Sequence, residues 1–273
     1  APLDLWVVDI RRFAGLHRDR DWVAERTLEA YGKHYTVAFP HEEYESGRNR
    51  IVSPLYDRLK SAGAVFGSKL GWERPNWFAP PGTPPHDVYS MGRQNWFDAV
   101  GDGHRLVRDN QGLFDQSSFA KYEVTGKDAA AALNWIAANN IDKPVGRLTY
   151  TQMLNSRGGI ECDLTISRLA EDCFYIVTGT GFRTHDLAWI REHVPAGMDA
   201  RIEDVTEAFG TLSLMGPHAV GTLRKVTTDS IDFPFGQFRV LHIAGHPVRA
   251  LRVTYVGEKG WELHMPIAGL ADV

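Results

Sequence analysis

Residues 150–169, YTQMLNSRGGIECDLTISRL, decide the fold of this chain because they are typical of two strands joined by a tight turn. Residues 150–154 are extended in character, 155–159 form a cluster of turn residues, and 160–169 alternate between the two faces of a strand. Successive strand side chains point to opposite faces. The predicted core face carries Ile160, Cys162, Leu164 and Ile166, and the opposite face carries Glu161, Asp163, Thr165 and Ser167.

Two acidic residues are candidates for a site. Asp163 follows the double-glycine turn and faces either water, as most strand aspartates do, or a cleft. Glu258 lies in the turn 257–260, where its two oxygens suit a planar pair of N–H donors on a heterocycle. The alternative for Glu258 is a solvated turn residue balanced by Lys259.

Composition indicates an ordinary globular protein. The chain has 273 residues, of which 43% are hydrophobic and 23% are charged. Its net charge of -4 provides no electrostatic attraction for nucleic acid. No apolar run approaches the roughly 20 residues of a membrane span, and residues 1–10 lack the features of a signal peptide. We therefore expect a cytoplasmic protein that acts on a small molecule, without a nucleic acid or membrane partner.

The two cysteines, Cys162 and Cys173, are predicted to be free thiols. They lie on successive strands of a predicted meander, too far apart for the ~5.5 Å Cα spacing of a disulfide. Neither has a metal-ligand spacing with any of the 11 histidines, so no metal site is predicted.

The remaining pattern favours the α+β class. Helices are predicted near 19–31, 53–63, 100–110, 128–137, 185–193 and 216–224, between strands that follow one another through short turns. Residues 76–85 are predicted to form a loop, with Trp72, Trp77 and Phe78 packed against a neighbour. Dinucleotide-binding, phosphate-loop and nucleophile-elbow motifs do not occur, which removes nucleotide and α/β-hydrolase functions.

Four segments occur in an order that resembles the folate-binding domain of the glycine cleavage T-protein (aminomethyltransferase) family. They are GLFDQSSFAKYEVTGKDAAAALNWI (112–136), residues 150–169, DVTEAFGTLSLMGP (204–217) and RVTYVGEKGWELHMP (252–266). The first 100 residues, with GWERPNWF (71–78), look like the middle of the dimethylglycine and sarcosine dehydrogenase group. Free T-protein usually has two acids after GGI, whereas Cys162 replaces the first of them here.

The resemblance implies a tetrahydrofolate site. It implies that Asp163 is the catalytic acid beside N10 of the folate, that Tyr150 lines the same pocket, and that Glu258 holds the pterin N–H edge. Phe182 is implied, by analogy, as a further pterin contact. An arginine for the folate tail is expected beyond Val273.

The chain is therefore predicted to be an interior piece of an FAD-dependent N-methylglycine dehydrogenase. Residues 1–12 are assigned to the tail of the oxidase domain, 13–66 to a bridging domain and 67–273 to a truncated folate-binding domain, with FAD in the N-terminal half. The implied reaction demethylates dimethylglycine or sarcosine and passes the carbon to tetrahydrofolate. The alternatives are a stand-alone aminomethyltransferase or demethylase and a non-catalytic folate-binding module, and the oligomeric state stays open.

Overall fold

The computed structural model describes residues 5–273. Apart from short 3-10 turns, the helices of this part of the chain are α1 (Arg20–Gly32), α2 (Tyr56–Ser61), α3 (Phe97–Asp109), α4 (Ala129–Ile136), α5 (Arg183–His193) and α6 (Ala219–Val226). The strands are β1 (Ala64–Lys69), β2 (Trp72–Phe78), β3 (Gly112–Asp115), β4 (Ala120–Thr125), β5 (Leu148–Leu154), β6 (Ile160–Ala170), β7 (Cys173–Thr178), β8 (Arg201–Asp204), β9 (Phe209–Met215), β10 (Phe238–Ile243), β11 (His246–Leu251) and β12 (Gly260–Pro266). None of the helices within residues 5–273 has the length and apolar character that crossing a membrane requires.

Two five-stranded sheets form the body of the molecule. The first has the strand order β5-β6-β7-β4-β8 and the second β10-β11-β12-β9-β3. Every strand pair within the two sheets is antiparallel. Helices are inserted between groups of hairpin-connected strands, which confirms the α+β class.

A separate hairpin of β1 and β2 was not predicted from the sequence. The predicted loop 76–85 begins as the end of β2, because pairing with β1 continues past the register shift at Pro75 to Phe78, which lies opposite Ala64. The packing prediction is confirmed for Trp72 and Trp77, which are buried, and is wrong for Phe78, which is 45% exposed.

Each sheet buries its apolar face under helices. Tyr122, Leu164 and Ile176 of the first sheet share a core with Leu133 of α4 and Ile190 of α5. The second sheet forms an equivalent core, made by Leu212, Leu214, Trp261 and Leu263 with Ala219 and Leu223 of α6. At roughly 1.5–3 kcal/mol for each large apolar side chain, these two cores account for most of the stabilisation.

The two sheets repeat one another, a relation that the sequence analysis missed. The motif Ile-Asp-x-Pro-x-Gly occurs at 141–146 and again at 231–236, each time between the helix and the first strand of the following hairpin. Where the two copies meet, Leu148 N–H donates to Gly236 O and Phe238 N–H donates to Gly146 O, both at 2.9 Å. These reciprocal bonds relate the two halves by an approximate two-fold axis.

The inner faces of the two sheets are joined by a buried polar layer. His264, fully buried on β12, contacts the hydroxyls of Tyr175 on β7 and Thr211 on β9 through Nδ1, at 3.2 and 3.0 Å. Its Nε2 lies 3.2 Å from Glu262. Burial lowers the pKa of His264, so the ring is neutral near pH 7 and Nε2–H donates to the carboxylate.

A buried lysine completes this layer. Lys121 on β4 is 0% exposed, and its Nζ donates to the carbonyl oxygens of Ser117, Thr206 and Phe209 at 2.7–3.0 Å. Burial lowers the pKa of Lys121 to about 7. The three carbonyls belong to both halves of the molecule, so one side chain ties the sheets together.

The predicted alternation along β6 holds only after a β-bulge. The pairing of β5 with β6 passes from Met153 opposite Cys162 to Leu154 opposite Ile160, which leaves Glu161 as the extra residue. Ile160 is consequently 66% exposed and not in the core, and Glu161 turns towards α5, where its Oε2 lies 3.6 Å from His185 Nε2. From Cys162 onward the two faces are as predicted.

The backbone conformation of Gly216 predicts that this glycine cannot be replaced without loss of stability. Gly216 follows β9 with φ +131°, and a Cβ there would lie 2.5 Å from Asn110 O. We expect Gly216→Ala to lower the free energy of unfolding by about 2 kcal/mol or more, measured by urea denaturation. The matched control Gly221→Ala lies within α6 in open space, and should raise it by about 0.5–1 kcal/mol. Equal effects of the two changes would contradict this account.

Candidate functional site

Asp163 lies on the inner face of the first sheet, near the free end of the β5–β6 hairpin. Its strand neighbour across the pair is Gln152, whose Nε2 donates to Asp163 Oδ1 at 3.1 Å. The carboxylate is exposed, so the expected cleft does not close around it within the described residues. It is held by its neighbours yet open to a ligand.

Tyr150 lies beside Asp163. Register places Tyr150 opposite Thr165, so that its side chain and those of Gln152 and Asp163 project from the same face. The hydrogen bond with Asp163 raises the pKa of the Tyr150 phenol, and desolvation adds to the effect. The structure thus brings together the first two residues that the sequence implied.

Tyr255 connects this pair to a cavity on the second sheet. Its hydroxyl lies 3.4 Å from the hydroxyl of Thr165, which is the next residue after Asp163 on the same face of β6. Tyr255 as a whole is 65% exposed. Desolvation raises the pKa of Tyr255, and the charges of Glu262 and Asp163 contribute further. The phenol is therefore a hydrogen-bond donor at neutral pH.

The cavity has a volume of about 210 Å³. It is lined by Phe114, Gln116, Ser213, Met215, Tyr255 and Val256. The Oε1 atom of Gln116 is buried and has no hydrogen-bond partner among the residues that the structure describes. A buried acceptor without a donor costs about 1–3 kcal/mol, which a bound N–H group would recover.

Glu258 belongs to the same connection as Tyr255, between β11 and β12. Its Oε1 accepts from Arg108 of α3 at 2.8 Å, while its side chain is 20% exposed. An ion pair with an arginine that is 71% exposed is worth about 0–1 kcal/mol. Arg108 is thus easily displaced by a ligand that offers a better pair of donors.

Phe182 is not part of this arrangement. It is 59% exposed and lines a different cleft of about 760 Å³, together with Trp6, Glu161, His185 and Trp189. Asp163, Tyr150 and Glu258 do not line that cleft. Phe182 as a pterin contact stays a prediction without support from its position.

Sequence reasoning overlooked Gln152, Tyr255, Gln116 and Phe114. Gln152 could have been found, because it alternates with Tyr150 along the same strand. The other three lie on the second sheet or its connections, which strand pairing gathers together, and the contact of Tyr255 with Thr165 joins them to β6. No local pattern marks them.

The family comparisons agree with this geometry. Residues 55–273 match the GCVT N-terminal domain family, and residues 1–53 match the FAD dependent oxidoreductase central domain family. The solved glycine cleavage system aminomethyltransferase T from Bartonella henselae is similar to 82% of this chain and to 55% of its own, with a TM-score of 0.66 and 26% identity.

Curated relatives match almost the whole chain. The chain is 38% identical over 271 residues to 4-methylaminobutanoate oxidase (formaldehyde-forming) of Paenarthrobacter nicotinovorans, covering 98% of this chain and 33% of the relative. It is 37% identical over 268 residues to mitochondrial dimethylglycine dehydrogenase of Mus musculus, covering 96% and 30% respectively. The chain thus spans about a third of the length of these relatives. The resemblance predicted from the sequence is confirmed, and the chain belongs to the GCVT N-terminal domain family, preceded by an FAD dependent oxidoreductase central segment.

Proposed function

We propose that the chain is the folate-binding part of an FAD-dependent dehydrogenase that demethylates N-methylated glycine, either dimethylglycine or sarcosine. The one-carbon unit then passes to tetrahydrofolate. The observation that carries this proposal is the Asp163 carboxylate, held by Gln152 and Tyr150 next to Thr165, whose hydroxyl contacts the cavity residue Tyr255. The similarity to an aminomethyltransferase and to a dimethylglycine dehydrogenase supports it.

The cavity suits the ring system of a folate. Phe114 and Tyr255 offer aromatic faces for a planar heterocycle, and the buried Gln116 Oε1 offers an acceptor for an N–H group. At about 210 Å³ the cavity is smaller than the roughly 300–1,000 Å³ that encloses a drug-sized ligand. It would therefore hold the ring head and leave the rest of the ligand outside.

Glu258 would serve the same ring. Its second carboxylate oxygen is not used by Arg108, and two oxygens match a planar pair of N–H donors. Exchange of the exposed Arg108 contact for a ligand contact costs little. Glu258 would orient the heterocycle, and Asp163 would act at the reacting end.

Bound tetrahydrofolate would supply the nucleophilic nitrogen that accepts the carbon. A one-carbon unit at the iminium level carries positive charge, and the Asp163 carboxylate would stabilise that charge and orient the attacking nitrogen. The carboxylate is exposed in this structure, where water weakens its field. The electrostatic stabilisation by the Asp163 carboxylate would increase when a ligand displaces that water.

Tyr150 would keep the carboxylate in place. The phenol is protonated at neutral pH and would donate to the carboxylate, the interaction that raises its pKa. Gln152 donates from the other side. Two donors fix the direction of the acid before the substrate arrives.

The flavin chemistry would be supplied by the N-terminal half of the protein. The match of residues 1–53 to the FAD dependent oxidoreductase central domain supports a flavin half. We propose a division into an oxidase tail at 1–12, a bridging domain at 13–66 and a folate-binding domain at 67–273. A cytoplasmic location is part of the proposal, although the dimethylglycine dehydrogenase relative is mitochondrial, and cell fractionation would decide between the two.

A second candidate follows from the oxidase relative. The name of the Paenarthrobacter nicotinovorans protein says that it forms formaldehyde from a longer methylamino acid. In that case the one-carbon unit leaves this protein as formaldehyde and is not transferred to tetrahydrofolate. A stand-alone aminomethyltransferase would lack the flavin half, and a non-catalytic module would bind folate without turnover.

The role of Asp163 is tested by Asp163→Asn in the intact enzyme. Amine oxidation should be unchanged, while the yield of methylene-tetrahydrofolate falls about 10- to 100-fold and free formaldehyde rises by a matching amount. Both products are measured in one reaction. The control Asp57→Asn changes an exposed acid of α2 and should leave both yields as in the unmutated enzyme. An unchanged transfer yield in Asp163→Asn would refute the proposed role.

The electrostatic coupling is tested by the pKa of Tyr150. Removal of the negative charge in Asp163→Asn makes the phenolate easier to form, so the pKa of Tyr150 should fall towards the ordinary tyrosine value near ~10. The measurement is a pH titration of ¹³Cζ-tyrosine resonances, with Tyr150→Phe identifying the signal. Asp142→Asn, which alters an acid paired with Arg168, should leave it in place. A Tyr150 pKa that does not respond to Asp163→Asn would show that the two groups are uncoupled.

The cavity is tested by tetrahydrofolate binding to Gln116→Leu. Loss of one buried acceptor should weaken binding roughly 5- to 30-fold, which corresponds to about 1–2 kcal/mol. Binding is measured by anaerobic calorimetry. Gln111→Leu is the control, because Gln111 bonds Thr222 on α6 and does not line the cavity. Equal affinities of the two variants would place the ligand elsewhere.

A further inference from the structure

A thiol, an imidazole and a carboxylate meet on the outer side of the first sheet. One ligand atom from each of Cys162, His185 and Asp186 lies within 4.8 Å of the others. Cys162 is 1% exposed and Asp186 is 1% exposed, while the His185 side chain is 14% exposed. These residue types bind transition metals, and two of the three are sealed from solvent.

The fold forces these groups together. Cys162 points from β6 towards the core that α5 covers, and α5 begins at Arg183, so that His185 and Asp186 lie in its first turn. Thr178, at the end of β7, donates to Asp186 Oδ2 at 2.6 Å and fixes the carboxylate. The other carboxylate oxygen lies 2.9 Å from His185 Nδ1.

The β-bulge places Glu161 next to this cluster. Glu161, the extra residue of β6, places its Oε2 3.6 Å from His185 Nε2, and Asn155 donates to its Oε1 at 2.7 Å. Glu161 and His185 also line the cleft of about 760 Å³, which gives an ion a path from solvent. Cys162, His185 and Asp186 therefore meet from two elements, β6 and α5, while Glu161 lies on the Nε2 side of the imidazole, at the mouth of the cleft.

We propose that Cys162, His185 and Asp186 bind a divalent zinc ion. A thiolate with an imidazole selects a borderline-soft ion over Mg²⁺ or Ca²⁺, which prefer oxygen ligands. Zinc bonds of about 2.0–2.3 Å separate tetrahedral ligands by roughly 3.5 Å, so small side-chain rotations close the site. The ion displaces the thiol proton, and each zinc bound releases that proton to solvent.

Such an ion would stiffen the strand that carries the proposed folate site. Cys162 and Asp163 are adjacent on β6 and project to opposite faces, so a metal held on one side fixes the backbone that directs the carboxylate on the other. The metal site does not depend on folate binding. The two sites can therefore be tested separately.

The test measures zinc in the intact protein. After chelator treatment and dialysis against Zn²⁺, the protein should hold one equivalent by mass spectrometry and should melt at a higher temperature. Replacement of zinc by Co²⁺ should produce a sulfur-to-cobalt charge-transfer band in the near ultraviolet. No saturable zinc and no such band would overturn the proposal.

Variants assign the ligands. Cys162→Ala should abolish the cobalt band, and His185→Gln should weaken zinc binding about tenfold or more. The matched control Cys173→Ala removes the other free thiol, which lies outside the cluster, and should bind as the unmutated protein does. Circular dichroism checks each fold, and if Cys162→Ala does not fold, the affinity of His185→Gln decides. A band that persists in folded Cys162→Ala, or zinc affinity unchanged in His185→Gln, would overturn the assignment.

Discussion

The structure depends on the pairing of polar groups that are buried between two sheets. In most two-sheet packings the inner faces are apolar, whereas here the apolar faces turn outward beneath helices and the inner faces meet through His264, Tyr175, Glu262 and Lys121. A buried polar group without a partner costs about 1–3 kcal/mol. The two sheets must therefore hold a single register, and the carbonyls that bind Lys121 enforce it from both halves.

The proposed folate site lies at the edge of this layer, where pairing among the described polar groups is incomplete. Towards the middle His264 and Lys121 are paired, whereas at the end of the β5–β6 hairpin Asp163 and Tyr150 reach solvent, and Gln116 Oε1 is buried without a partner in the described chain. Incomplete pairing is expected where a ligand completes the network. The approximate two-fold repeat supplies one half of the site from each copy, with Asp163 from the first and Tyr255 from the second.

The β-bulge of β6 separates the proposed zinc site from the proposed folate site on a single strand. The bulge at Glu161 sends this acid to α5, while the regular pleat beyond it sends Cys162 outward and Asp163 inward. Bulges redirect side chains next to functional sites, and here the redirected acid lies 3.6 Å from His185 Nε2. Sequence spacing gave no hint of this group, since Cys162 and His185 are far apart in the chain and meet only through packing of a helix on a sheet.

The sequence by itself determined the hairpin of β5 and β6, the α+β class and the family, and it predicted the two candidate acids, because strand alternation, glycine turns and motif order are local properties. It could also have revealed the repeat, since the two Ile-Asp-x-Pro-x-Gly motifs are visible in the printed chain. Only the tertiary structure decided that Tyr255 contacts the strand of Asp163 and shares a cavity with Gln116, that Phe182 lies in another cleft, and that Glu161 leaves the face predicted for it. Those outcomes depend on which strands pair and where a register slips, and these are set by burial and hydrogen bonding between residues distant in the chain.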